Sequence, residues 1–135
     1  MHETETECRE RPQLELWSFG FKYGAIEGNL VTDVRFLPNP YYVPDLRHMT
    51  GKDEACAAYV FKDNSTGEFT SALTEAIIRM EKSFAVQDRK LLKIAIGCTG
   101  GQHRSVAVVE SIARNLRETG LQPRVYHKEL ETTPH

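Results

Sequence analysis

Residues 91–120 constrain the fold most, because they join a strand pattern to a helix pattern through a glycine-bearing loop. The run "LLKIAI" (91–96) is apolar except for one lysine, which is typical of a central strand in a parallel sheet. After the loop "GCTGGQ" (97–102), apolar residues return with the period of a helix. We expect that helix to run from about Gln102 to just before Gly120, a residue suited to the position after a helix C-cap.

The rest of the chain also alternates between strand and helix patterns, without internal repeats or a linker that would divide it. Further strands are expected at 14–19, 29–36 and 123–129. The second of these is followed by "LPNPYYVP", whose three prolines exclude regular structure. This alternation predicts an α/β fold, a single domain with a mostly parallel sheet flanked by helices.

Two further helices are expected between the second and third strands. A short one follows Asp53, with Thr50 or Asp53 as its N-cap, and a longer one begins at a capping box formed by Ser65 and Glu68. The apolar stripe of the longer helix consists of Phe69, Leu73, Ala76, Ile77, Met80 and Phe84. Their spacing has the helical period, which predicts an amphipathic helix over this segment.

The composition narrows the possible classes of protein. A length of 135 residues suits one domain, and 40% hydrophobic with 27% charged residues is ordinary for a soluble protein. The formal net charge of −2 argues mildly against nucleic-acid binding. No apolar run is long enough to span a bilayer, and the N-terminus lacks the apolar core of a signal peptide, so we expect a cytoplasmic protein without a membrane partner.

The expected boundaries are a disordered leader at 1–12, the folded domain at 13–130 and a disordered tail at 131–135. The three cysteines, Cys8, Cys56 and Cys98, are too few and too widely spaced for a disulfide framework or a zinc site. We therefore expect reduced thiols, no metal site and no cofactor.

The loop between the central strand and the following helix carries the clearest chemical signal. Five residues separate Cys98 from Arg104 and Ser105, which is the phosphate-binding spacing of cysteine-dependent phosphatases. Glycines let backbone N–H groups approach a ligand, the helix N-terminus favours an anion, and Arg104 offers two donors to phosphate oxygens. The alternative is a plain strand-to-helix turn with a buried, inert cysteine. The presence of His103 with Arg104 and Ser105 favours the anion-binding loop.

The same loop leaves a catalytic alternative open. A cysteine-dependent phosphatase would use Cys98 as nucleophile, Arg104 as phosphate clamp, and Asp45 or Asp33 as the acid that protonates the leaving group. However, phosphatase loops usually carry a histidine immediately before the cysteine, where this chain has Gly97. A cysteine-dependent phosphatase is therefore the second hypothesis. Under the first hypothesis, in which the loop only binds an anion, we expect no catalytic residues.

A second polar cluster lies upstream of the loop, in segments rich in aromatic residues and proline. It contains Lys22, Tyr23, Asp33, Arg35, Asn39, Arg47, His48, Thr50 and Lys52. Solvated surface charge is the simple explanation of such a cluster. A structured loop of about 15 residues in a small domain is more often functional. One carboxylate among several cations also suits a ligand that carries both a phosphate and an amino or hydroxyl group.

The segments "SFGFKYG", "DVRFLPNP", "MTG" and "AIGCTGGQHRSV" closely resemble the C-terminal domain of the RapZ family, the RNase adapter proteins. The resemblance runs from about Leu14 to about His127. Family members normally carry an N-terminal P-loop domain as well, whereas this sequence contains no GxxxxGK[ST] motif. The chain thus resembles a stand-alone copy of the C-terminal domain, for which ATP or GTP hydrolysis is not expected.

The resemblance implies a regulatory role and a ligand. The C-terminal part of the family binds small RNA and senses glucosamine-6-phosphate, in a pocket around the "DVRF" aspartate and the "GCTGG-x-HR" loop. The implied binding residues here are Asp33, Cys98, Thr99, Gly100, Gly101, His103 and Arg104, with Lys22, Arg35 and Ser105 as additions from the loop chemistry and the upstream cluster.

Two departures from the family bear on the partner. Many members have a histidine after "LPNP", where this chain has Tyr41, and the RNA-binding members have a strongly basic C-terminal end, which "YHKELETTPH" is not. We therefore expect a phosphosugar or another phosphorylated small molecule as ligand. A small RNA, a protein partner and a homo-oligomer remain possible, and an RNA-binding module without ligand control is a third hypothesis.

Overall fold

Four strands form one fully parallel sheet in the computed structural model, which describes residues 10–132. The strands are β1 (Gln13–Gly20), β2 (Leu30–Asp33), β3 (Leu91–Cys98) and β4 (Arg124–His127). Their spatial order is β2-β3-β1-β4, and every neighbouring pair is parallel. The expected α/β fold with a mostly parallel sheet is therefore confirmed, and β3 is an inner strand as predicted.

Four α-helices accompany the sheet. They are α1 (Glu54–Val60), α2 (Asn64–Val86), α3 (Arg104–Glu118) and α4 (Lys128–Thr132). Two short 3-10 turns, Phe21–Tyr23 and Pro40–Tyr42, interrupt the loops that follow β1 and β2. None of the helices in the described part combines the length and the apolar character needed to cross a membrane.

The core lies between the sheet and the long helices. Alternate residues of β1 and β3, such as Leu16 and Ile94, point to the same side and are fully buried. The apolar face of α3, with Val109 and Ile112, packs on them. Helix α3 ends as the sequence predicts: Gly120 has a φ of 95°, and the amides of Gly120 and Leu121 donate to the carbonyls of Arg117 and Leu116.

Strand β2 is shorter than the predicted strand at 29–36. The Asp33 carboxylate accepts a hydrogen bond from the amide of Arg35 at 2.8 Å, which turns the chain out of the sheet. The amide of Val34 still donates to the carbonyl of Gly97 at 2.8 Å, and its side chain is fully buried. The turn therefore inserts Val34 into the core instead of extending the strand.

The predicted capping box of α2 is wrong. The helix begins at Asn64 with Asp63 as N-cap, so Ser65 lies inside the first turn. The stripe is only partly as expected, since Leu73, Ile77 and Phe84 are buried but Ala76 is exposed. Threonines occupy the buried face instead, and Thr74 satisfies its hydroxyl by donating to the carbonyl of Thr70 at 2.8 Å.

The ordered structure extends beyond the expected domain boundaries, 13 and 130, at both ends. Pro12 is buried, and the Arg11 guanidinium pairs with Glu81, its Nε lying 2.9 Å from Oε2. Residues 131–132 belong to α4. Of the expected leader and tail, residues 1–9 and 133–135 lie outside the described residues.

Replacing Arg11 with Ala should destabilise the fold by about 1–2 kcal/mol. Glu81 is almost completely buried, so its carboxylate would lose its charged partner, but Arg11 is half exposed and solvent screens the pair. Denaturant unfolding measures the change, with Arg79→Ala on the exposed side of α2 as control. In a Glu81→Gln background the cost should shrink; equal costs in both backgrounds would contradict the ion-pair explanation.

Candidate anion-binding site

A cleft with a volume of about 380 Å³ opens beyond the carboxyl ends of β1 and β3. This is the edge at which ligands bind in parallel α/β sheets. Three segments line it: the 3-10 turn after β1, the segment from Asn39 to Arg47 after β2, and the loop after β3. The segments that follow the ends of β1, β2 and β3 therefore meet in this cleft.

Close packing against β1 sets the path of the glycine loop. Gly101 has a φ of 74°, and a Cβ there would lie 2.4 Å from Cγ of Glu129 and 2.6 Å from the nitrogen of Gly20. The buried Glu129 carboxylate in turn accepts from the amide of Gly20 at 3.1 Å. On the other side of the loop, the amide of Lys22 donates to the carbonyl of Thr99 at 3.1 Å. Only glycine permits this approach at position 101.

Arg104 forms the floor of the cleft and is 94% buried, since 6% of its surface is exposed. Its Nη1 donates to the carbonyl of Arg35 at 2.6 Å, and Nη2 lies 3.4 Å from the hydroxyl of Thr99. Its Nε has no hydrogen-bond partner. Within residues 10–132 no carboxylate forms an ion pair with this guanidinium, and Asp33 acts on it only at longer range.

Two more cations line the cleft nearer to solvent. The Lys22 ammonium lies 5.2 Å from the ring centroid of Tyr23. The Arg47 guanidinium lies 4.9 Å from the ring centroid of Tyr41, and its Nε donates to the Tyr41 carbonyl at 2.8 Å. Neither forms an ion pair with any acidic side chain of the described part. Among residues 10–132, no aspartate or glutamate lines this cleft, and this favours the binding of an anion there.

His103 connects the loop to the opposite wall. Its Nε2 lies 3.1 Å from the carbonyl of Arg47, so Nε2–H donates to that oxygen. Burial lowers the pKa of His103 below its ordinary value of 6.5, and the nearby Arg104 charge acts in the same direction. The ring is therefore neutral at neutral pH. It holds the backbone of Arg47, on the other side of the cleft, without adding a positive charge.

Cys98 is the last residue of β3 and is 2% exposed, at the back of the cleft. Its Sγ lies 3.2 Å from the hydroxyl of the buried Ser105. Asp45, the acid of the phosphatase alternative, does not line the cleft that contains Cys98 and Arg104. In this arrangement Cys98 forms part of the back wall of the cleft, and Ser105 contacts its thiol from outside the lining.

Asp33 and Arg35 lie beside the cleft and are paired with each other. Arg35 Nε lies 3.0 Å from both carboxylate oxygens, and Nη2 lies 2.7 Å from Oδ2. This pairing with Arg35 holds the pKa of Asp33 below its usual value. The Arg35 guanidinium also stacks at 4.2 Å over the ring of Phe21. The backbone of this segment reaches the site through the Arg35 carbonyl, but neither side chain lines it.

Six of the predicted binding residues line the cleft: Lys22, Cys98, Thr99, Gly100, His103 and Arg104. Asp33, Arg35, Gly101 and Ser105 do not. Tyr23, Asn39 and Arg47 belong to the upstream cluster that the sequence suggested, whereas His48, Thr50 and Lys52 of that cluster lie elsewhere. Tyr42 and Gln102 were missed. The sequence feature that could have indicated Tyr42 is its position in the proline-rich segment "LPNPYYVP". The feature that could have indicated Gln102 is its position in the loop "GCTGGQ".

The fold and this cleft define an α/β domain with a candidate anion site at the carboxyl edge of a parallel sheet. More particularly, the chain belongs to the family of the RapZ C-terminal domain, whose model matches residues 12–131.

Similar proteins are longer than this chain. A "nucleotide-binding protein" of Bifidobacterium adolescentis is 47% identical over 119 residues, which cover 87% of this chain and 38% of that protein. Proteins of the same name from Bacillus thuringiensis and Caldicellulosiruptor saccharolyticus are 43% and 41% identical, over 97% and 91% of this chain and 45% and 42% of their own lengths. The chain thus spans less than half the length of these relatives.

Gly101→Ala should destabilise the domain by about 2–4 kcal/mol. The positive φ and the overlap of a new Cβ with the Gly20 backbone both oppose the substitution. Gly67→Ala is the matched control, because it lies in α2 with nothing within 4 Å of its Cβ position and should stabilise by about 0.5–1 kcal/mol. Denaturant unfolding measures both changes in stability. A Gly101→Ala variant as stable as wild type would contradict the close approach of Gly101 to the Gly20 backbone.

His103 should titrate below 6.5, and the domain should lose stability as the pH falls. Because the folded pKa is lowered, the unfolded chain binds the proton first, so stability is present above 6.5 and is lost between 6.5 and the folded pKa. NMR of the imidazole signals gives the midpoint, and unfolding at about pH 7.5 and about pH 5.5 gives the loss. His103→Gln should remove part of that loss; a midpoint above 6.5 would contradict the burial effect.

Proposed function

We propose that this domain is a regulatory ligand-binding domain that holds a phosphorylated small molecule in the cleft, with glucosamine-6-phosphate as the first candidate. The observation that carries the proposal is the buried Arg104, a guanidinium without a carboxylate partner on the floor of an open cleft. Burying an uncompensated charge is costly, and an anionic ligand would offset that cost.

The phosphate group would lie between Arg104 and the glycine loop. The terminal nitrogens of Arg104 donate only to the neutral Arg35 carbonyl and Thr99 hydroxyl, so the guanidinium retains the capacity to donate to a phosphate. The amides of Thr99 and Gly100 donate to no protein acceptor in the described structure. Both residues belong to the glycine loop before α3 and line the cleft. Free backbone amides in a loop that leads into a helix N-terminus favour phosphate over a neutral ligand.

The rest of the ligand would meet a polar and aromatic wall. Asn39 and Gln102 supply amide groups, and Tyr23, Tyr41 and Tyr42 supply rings and hydroxyls, which suit the hydroxyls and faces of a sugar. An ammonium group meets no carboxylate in the cleft lining, since Asp33 is held by Arg35. To select an amino sugar, Asp33 would therefore have to break its hydrogen bonds to Arg35 and accept hydrogen bonds from the ammonium group of the ligand instead.

Membership of the RapZ family supports a regulatory role for ligand binding. The relatives carry this domain as less than half of a longer protein, so a ligand here would alter what the domain does to an attached or separate partner. A protein or a small RNA is the proposed partner. The aromatic and cationic residues around the cleft suit RNA, whereas the overall charge of −2 favours a protein.

Arg104→Met should weaken glucosamine-6-phosphate binding by about 30-fold or more while the domain stays folded. Charged hydrogen bonds are worth about 1.5–3 kcal/mol each, and Met fills the volume of the arginine stem without leaving a buried charge. Isothermal calorimetry measures the affinity, with Arg114→Met on the exposed side of α3 as control and glucosamine as the ligand without phosphate.

Equal affinity of wild type and Arg104→Met would overturn the proposed site. Glucose-6-phosphate binding as tightly as glucosamine-6-phosphate would keep the site and reject amino-sugar selection. Release of inorganic phosphate that Cys98→Ser abolishes would replace the proposal with the phosphatase alternative.

A further inference from the structure

We propose that the ligand of this cleft carries a second phosphoryl group, as in a diphosphate or a bisphosphate, and that Arg47 holds this second group at the rim. The inference rests on the proposed function, since it assigns the first phosphate to Arg104. It goes beyond the proposed function because it requires two separate anion subsites. One is at Arg104 on the floor of the cleft, and the other is at Arg47 in the segment that follows β2.

Charge balance is the first argument. Lys22, Arg47 and Arg104 all line the cleft, and no carboxylate of residues 10–132 does. The lowered pKa of His103 keeps that residue neutral. A phosphate monoester carries about two negative charges at neutral pH. Three fixed positive charges in one cleft therefore exceed what one phosphate neutralises, whereas a ligand with two phosphoryl groups matches them.

The second argument is that Arg47 is already held in place. Its Nε donates to the Tyr41 carbonyl, and its guanidinium lies over the Tyr41 ring. Tyr41 is fixed in turn, because its amide donates to the side chain of Asn39 at the start of a proline-containing 3-10 turn. The Arg47 carbonyl accepts from His103 and thereby connects the rim to the loop.

These contacts use Nε and leave both terminal nitrogens of Arg47 without a partner in residues 10–132. A planar guanidinium that is oriented by a ring and a carbonyl presents its remaining donors as a fork, which matches two oxygens of a phosphoryl group. An exposed arginine with no function would more often extend into solvent, because holding it costs side-chain entropy.

The third argument is the separation of the two guanidinium groups in depth. Arg104 is 6% exposed on the floor, whereas Arg47 is exposed and belongs to a different segment of the chain. A volume of about 380 Å³ is within the range of pockets that hold a whole small molecule. A ligand that fills such a volume can contact Arg104 and Arg47 together, since both residues line the cleft.

The test compares orthophosphate with pyrophosphate by calorimetry, at constant ionic strength and without divalent cations. Pyrophosphate should bind wild type at least about tenfold more tightly than orthophosphate, which corresponds to about 1.4 kcal/mol. Arg47→Gln should reduce this ratio to about two or less, while orthophosphate binding continues to depend on Arg104. Arg79→Gln on the exposed side of α2 is the matched control and should leave both affinities unchanged.

The outcomes separate this inference from the proposed function. Orthophosphate binding that depends on Arg104, with a pyrophosphate preference unchanged by Arg47→Gln or absent, would reject the second subsite and keep the first. Binding of neither anion would overturn both. Tyr41→Ala should reduce the pyrophosphate preference in the same direction as Arg47→Gln, because it removes the ring that orients the guanidinium; a full preference in that variant would reject the positioning.

Discussion

The parallel pairing of β1 with β3 is the constraint on which the candidate site depends. The two strands run in register from Gln13 opposite Leu91 to Gly20 opposite Cys98, so both end at the same edge of the sheet. The turn after Gly20 and the loop after Cys98 therefore leave the sheet side by side. Gly101 then packs directly on the Gly20 backbone, which fixes the loop and with it the N-terminus of α3.

The electrostatics of the cleft follow from this packing. A loop pressed against β1 buries Arg104, the first residue of α3, and the surrounding groups satisfy it with carbonyl and hydroxyl oxygens instead of a carboxylate. The Asp33 carboxylate, which acts on Arg104 at longer range, is hydrogen-bonded to Arg35. The domain thus concentrates positive charge at the ends of its strands although its formal net charge is −2, which is why overall charge is a poor guide to its ligand.

Long elements with a clear period were predictable. Strands β1 and β3 and helix α3 follow from patterns that extend over several turns or alternations, and the strand-to-helix loop follows from glycines beside Cys98 and Arg104. The errors occurred where a local contact competes with the pattern. Asp33 ends β2 by accepting from its neighbour's amide, and the start of α2 at Asn64 puts Ser65 inside the helix. Such contacts lie within a few residues and leave no periodic signal.

The sequence by itself determined the fold class, the family and the loop that faces the candidate ligand, because these depend on residues that are neighbours along the chain. Only the tertiary structure decided which cations share the cleft. It placed Arg47 beside the loop and paired Arg35 with Asp33, although both arginines belong to the same polar cluster. The reason is the strand order β2-β3-β1-β4, which brings together segments about 20 to 80 residues apart at distances that no local pattern encodes.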